Sequence, residues 1–178
     1  FPSFSISLPS WDDVVQAHSA VWNSSYVRSM VPDVISVGAG FNGIAIVGGA
    51  TSIDFNFVLR GPEASWTRPI VTTTQSIGGG FSIGLSLNIG GTNYMGDVNN
   101  ITRDLLETDS RKGGLTYWGS FGGNVMGAAV GVTGAYTPLF DGSYGAIGRS
   151  LNIGVAVPLP GSVAGGGSNT FILKDYFK

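Results

Sequence analysis

The chain has no cysteine and a single histidine, His18. That excludes a disulfide framework and thiol chemistry, and it leaves any zinc site to be completed by carboxylates alone. Charge is scarce too. Only 11% of the 178 residues are Asp, Glu, Lys or Arg, against about 25% in a typical soluble domain. The net charge of −2 offers no clustered Lys and Arg for a nucleic-acid backbone. Long apolar runs are also missing. Ser, Asn and Gly interrupt every apolar stretch, so no helix of about 20 apolar residues can cross a bilayer. No Gly-Lys-Ser/Thr follows a glycine run, so no phosphate loop is present.

What is abundant is glycine, at 29 residues, within a chain that is 43% apolar. The mean hydropathy is +0.25. A chain this poor in charge has a thin polar shell, or part of its surface is covered by a partner or by lipid. Much of the glycine sits inside period-two alternation, as in Gly80-Phe81-Ser82-Ile83-Gly84-Leu85. Glycine weakens a strand and is kept where a sheet bends or another backbone comes close. The pattern predicts a strongly curved, closed antiparallel sheet. The length suits one such domain.

Residues 1–10 read as an extended linker, and a start at Phe1 leads us to expect a piece of a longer precursor. Ser10 with Asp13 three residues later predicts a capped helix over about 10–23, carrying Trp11, Val14, Val15, His18, Val21 and Trp22 at helical spacing. Pro32 ends this first part, which gives an organisation of 1–32 as linker and helix and 33–178 as barrel. Residues 34–47 and 51–60 read as a hairpin around Gly48-Gly49, and 69–77 and 81–90 as a second pair around Gly78-Gly79-Gly80. An insertion at about 92–114 holds a short helix and ends in the charged turn Arg111-Lys112-Gly113-Gly114. Strands resume at 115–122, 125–137, 144–157 and 168–174. The fold class is all-β: a glycine-rich antiparallel barrel of about eight or more strands with a short N-terminal helix.

Two polar loops are the candidate sites. Arg60, Glu63, Trp66 and Arg68 lie within nine residues; they suit an anion or a sugar, or simply a solvated hairpin tip. Asp97 and Arg103 mark the second loop. Its Asp-x-Asn matches the start of a calcium loop without the spacing or the central glycine, and a capped short helix explains the same residues. An insertion of that length favours function over a plain connection. His18 sits alone on the apolar helix stripe and reads as structural. Thr72 to Ser76 has no base nearby in sequence and reads as ordinary strand chemistry. No metal and no cofactor is expected.

The lead FPSF…LPSWDDVVQAHSAVWNSS…VPD, followed by a glycine-rich β body with GDVNNITR (96–103) and GRSLNIGVAVPLPG (148–161), resembles the C-terminal tip of a bacterial Rhs-type polymorphic toxin of the Bacteroidetes kind. The resemblance implies a toxin domain released from a shell of YD repeats. It also implies secretion or display at a bacterial cell surface, and partners that include the parent Rhs shell, an immunity protein or a target-cell membrane. It carries over no functional residue. The expectation is a non-enzymatic effector, membrane-active or target-binding. The alternatives are a soluble structural or ligand-binding barrel, and a toxin enzyme built on loops 60–68 and 97–107.

Overall fold

The computed structural model describes residues 10–107, 115–125, 128–138, 145–156 and 162–173. The linker Phe1 to Pro9 and the charged turn Arg111 to Gly114 lie outside them. The chain divides into two units, 1–31 and 32–178.

The first unit holds two helices, α1 (Trp11–Trp22) and α2 (Ser25–Met30). Helix α1 opens with the expected capping box. The Ser10 hydroxyl accepts from the Asp13 N–H, and the Asp13 carboxylate accepts from the Ser10 N–H at 2.8 Å. These bonds hold the Asp13 carboxyl below its usual range. The sequence reading missed α2. The Ser24 side chain caps a new turn by accepting from the Val27 N–H. Trp11, Val14, Val15, Val21, Tyr26 and Met30 are all exposed.

The second unit is mostly β, and its strands hold 65% of all the described residues of the chain. The strands are β1 (Val34–Val58), β2 (Ile70–Met95), β3 (Thr116–Val125), β4 (Ala128–Thr137), β5 (Gly145–Ala156) and β6 (Ser162–Ile172). All pairings are antiparallel. The ring β2-β5-β4-β3-β6 closes because β2 pairs with β5 through 84–95 and with β6 through 72–81. Strand β1 pairs along nearly all of β2 outside that ring, from Val34 opposite Thr92 to Asn56 opposite Ile70.

One expected pairing changes. Residues 69–77 and 81–90 are not a hairpin; they are successive parts of β2, each bonded to a different strand. The glycines between them bend one strand instead of turning the chain. At that bend Gly80 has φ 134° and stands opposite Ile46, at φ 75°. A β-branched residue there is a true outlier, which glycine opposite it is not. The expected strands 115–122 and 125–137 are both present with their boundary shifted, since β3 runs to Val125 and β4 begins at Ala128. Strand β6 starts earlier than expected and takes Gly165-Gly166-Gly167 into the ladder. The expected short helix near 98–105 is two 3-10 turns, Val98–Asn100 and Arg103–Leu106.

Side chains alternate through β2 and β5, and the large apolar ones there point outward; in β1, Ile44 is instead buried on the cavity wall. In β2, Ile77, Phe81, Ile83, Leu85, Leu87 and Ile89 are exposed, with Ile77 at 74% and Leu85 at 65%. The intervening Ser82, Gly84, Ser86, Asn88 and Gly90 line the interior. In β5, Leu151, Ile153 and Val155 are exposed while Ser150, Asn152 and Gly154 face inward. The apolar cluster of buried residues sits at one end of the barrel: Val34, Val58, Tyr94, Val98, Ile101 and Ala146, with Ile70, Leu105 and Leu106 against it.

Backbone approach explains part of the glycine content. A Cβ on Gly166 would overlap the Ile77 carbonyl oxygen, while one on Gly134 meets nothing within 4 Å. Gly166→Ala should therefore cost about 1–3 kcal/mol of stability. Gly134→Ala should be neutral or stabilising by up to about 1 kcal/mol. Chemical denaturation of both variants checks the pair; equal effects would contradict this packing.

Candidate functional site: a polar lumen closed at one end

The barrel encloses a cavity of about 390 Å³. Its wall is built by the inward positions of every strand and consists mainly of hydroxyls, amides and glycine. These groups bond to one another across strands. Thr74 and Thr170 hydroxyls lie 2.9 Å apart, and those of Thr116 and Thr137 2.7 Å apart. Asn152 Nδ2 donates to Thr133 Oγ1 at 2.8 Å. The Ser36 hydroxyl donates to Asn56 Oδ1 at 2.6 Å, and Asn56 Nδ2 donates to Thr72 Oγ1 at 2.8 Å. Asp54 is the one carboxylate on the wall, and it accepts from the Ser52 hydroxyl at 2.6 Å. Buried polar groups tolerate removal from water only when paired in this way.

Two atoms on the wall are buried without a hydrogen-bond partner: Asn42 Oδ1, an acceptor, and Trp118 Nε1, a donor. The Trp118 ring sits opposite glycine, since a Cβ on Gly78 would lie 3.0 Å from its Cζ2. Arg149 also borders the cavity, yet it is exposed and shares its alternation with Ile147 and Leu151 on the outer face.

The candidate loop residues lie elsewhere. Arg60 is a structural residue, fully buried. Its Nη1 bonds Asp33 Oδ1 at 3.2 Å, with both side chains at 0% exposure, and donates to the Pro32 carbonyl at 2.9 Å. The second Asp33 oxygen accepts from the Tyr94 N–H at 2.9 Å. This knot ties the start of β1, the end of β1 and the end of β2 together beside the apolar cluster. The two loops do meet: the Glu63 carboxylate accepts from the Arg103 backbone N–H. Gly61, at φ 99°, packs so tightly on the second loop that a Cβ would crowd the Ile101 and Val98 carbonyls. Asp97 caps the first 3-10 turn by accepting from the Asn99 N–H. Trp66 is exposed, and the Arg68 N–H donates to the Ser65 hydroxyl. None of Arg60, Glu63, Trp66, Arg68, Asp97 or Arg103 lines the cavity; the second loop closes its end with Leu105 and Leu106.

The enzyme alternative thus has its loops in contact, with none of its six residues on the wall of the lumen. His18 lies exposed on α1. Among the described residues, no three of His, Asp and Glu cluster as a metal site would require. The sequence reading missed the lumen residues, above all Asn42, Asp54, Asn88, Asn152 and Trp118. Their period-two spacing was visible; the side of the wall they occupy was not.

Arg60→Met should destabilise the barrel by about 3–5 kcal/mol, because it leaves the Asp33 charge buried without its counter-charge. The double variant Asp33→Asn with Arg60→Met should recover part of that loss. Arg68→Gln, on the surface, should stay within about 0.5 kcal/mol of the parent. Urea titrations of the four proteins measure this; an Arg60→Met variant as stable as Arg68→Gln would contradict the buried-knot account.

Comparison of the chain with protein-family models, with curated proteins and with solved structures gives no significant match in any of the three.

Proposed function

We propose that this domain is a non-enzymatic effector that acts by inserting its barrel into a lipid bilayer. The carrying observation is the inversion of its two faces. Aliphatic and aromatic side chains populate the outer face of every strand, and hydroxyls and amides populate the lumen. A soluble lipocalin-like barrel needs the reverse, with apolar side chains inside and polar ones in water. A membrane barrel needs this arrangement: an apolar band toward lipid and a polar interior. The low charge of the chain serves the same end. No helix among the described residues is long and apolar enough to cross a membrane, so strands are the elements that would do so.

Strand dimensions fit this reading. β3 to β6 run 10–12 residues, close to the 9–11 that a tilted strand needs to cross. Tyr117 and Tyr136 are register partners just inside the strand ends, where interfacial aromatics belong. We read the longer β1 and β2 as two crossing segments each, making eight in all. The support lies within β1. The Leu59 N–H donates to the Asp33 carbonyl, Ser36 bonds Asn56, and a Cβ on Gly38 or Gly48 would overlap the carbonyl of Ile53 or Gly43. Those contacts all centre on Ile46, as a strand folded back on itself requires. The ring would then leave no open edge, which lipid demands.

With the Rhs-tip resemblance, the reading extends to a secreted bacterial toxin domain whose target is the membrane of another cell. Flotation with liposomes tests the insertion. The parent protein should float and resist alkaline extraction. Leu85→Arg or Val132→Arg, each on the outer face, should lose about 2–4 kcal/mol near the bilayer midplane and shift toward the unbound fraction. Glu63→Gln and Arg68→Gln should float like the parent. A parent protein that stays monomeric in buffer and never floats would overturn the proposal.

A further inference from the structure

The lumen is not filled by its own side chains. A small barrel is just wide enough either to be packed solid or to hold one small ligand. Here glycine occupies inward positions at Gly84, Gly122, Gly131 and Gly154, which leaves the cavity of about 390 Å³. That volume falls within the about 300–1,000 Å³ of small-molecule sites. The wall has a defined chemical character. Nearly every polar group on it is an uncharged hydroxyl or amide, and its single carboxylate, Asp54, is engaged by Ser52.

Against this satisfied background two buried atoms stand out, the Asn42 Oδ1 acceptor and the Trp118 Nε1 donor. A buried donor or acceptor left unpaired costs about 1–3 kcal/mol. Hydroxyl groups answer both, one accepting from Trp118 and one donating to Asn42. An anion would repel Asp54 and find no inward cation. An apolar molecule would strand the hydroxyl wall. Trp118 adds a flat apolar ring among these polar groups, which suits the C–H face of a sugar ring and has no use for water alone.

We propose that the lumen binds one small uncharged polyhydroxyl molecule of monosaccharide size, held between Asn42 and Trp118. The site goes beyond the membrane reading and stands on the interior alone.

The chain has four tryptophans, so Trp11→Phe, Trp22→Phe and Trp66→Phe together leave Trp118 as the sole indole fluorophore. This protein, in buffer or in a zwitterionic detergent without a sugar headgroup, is titrated with D-glucose, with sorbitol and with sodium sulfate. Calorimetry on the unaltered protein runs in parallel. The expected result is a saturable shift of Trp118 emission with D-glucose, half-complete at or below about 10 mM, and no saturable response to sulfate. Asn42→Ala, checked for its β circular dichroism, should weaken the D-glucose response at least about fivefold, a loss of one hydrogen bond of about 1 kcal/mol. Absence of saturable binding of both polyols by fluorescence and by calorimetry means a water-filled lumen and overturns the proposal. So does an Asn42→Ala protein that is folded and binds like the parent. A barrel that floats with liposomes yet ignores both polyols defeats only this site; one that binds D-glucose yet never floats defeats only the membrane reading.

Discussion

Everything in the barrel follows from where its apolar side chains cannot go. The inward positions of the strands are held by hydroxyls, amides and glycine that bond across the lumen, so the interior offers no apolar core through most of its length. Burial of apolar surface is normally the dominant favourable term in folding. Here it is concentrated in the cluster around Val34, Tyr94 and Ile101 at one end, with Ile44 and Ala164 buried apart from it. The large aliphatic area on the outside is left to whatever surrounds the barrel. In water that face is a liability of a size that marks an interaction surface. In lipid it is the stabilising term, and the ladder bonds and lumen bonds need no further help.

Two devices make the inverted wall possible. The first is close backbone approach at glycine. The Gly166 and Gly154 positions sit against the carbonyls of Ile77 and Leu85, where any side chain would intrude. The second is the buried Arg60–Asp33 pair. It spends the chain's scarce charge on fastening the ends of β1 to β2, where the loops cap the lumen. A buried ion pair is weak evidence of net stability. Its geometry here fixes which strand ends meet, because the Asp33 carboxylate bonds both the Arg60 guanidinium and the Tyr94 backbone.

The sequence was legible where period and caps speak directly. Ser10 and Asp13 announce α1, and the alternation from Val34 onward announces a closed β body. It was less legible where pairing depends on distant partners. Gly78 to Gly80 reads as a hairpin turn, and becomes a bend, because Phe81 and the residues before it find β6 and β1 as neighbours, which local pattern cannot reveal. The candidate loops drew notice because charge is rare in this chain. Arg60 turned out to be rare charge used for architecture. The lumen residues drew none, because Ser, Thr and Asn on one face of a strand look the same whether that face meets water or encloses a cavity.

The central claim is that lipid meets the odd-numbered face of β2 and never the even-numbered one. The absence of native cysteine makes it directly measurable. Single cysteines at 83, 85, 86, 87, 88 and 89 can each carry an environment-sensitive fluorophore in liposomes containing nitroxide-labelled lipid. The account predicts strong quenching at 83, 85, 87 and 89 and little at 86 and 88. Uniform quenching, or none at any of the six positions in protein that remains folded, would contradict it.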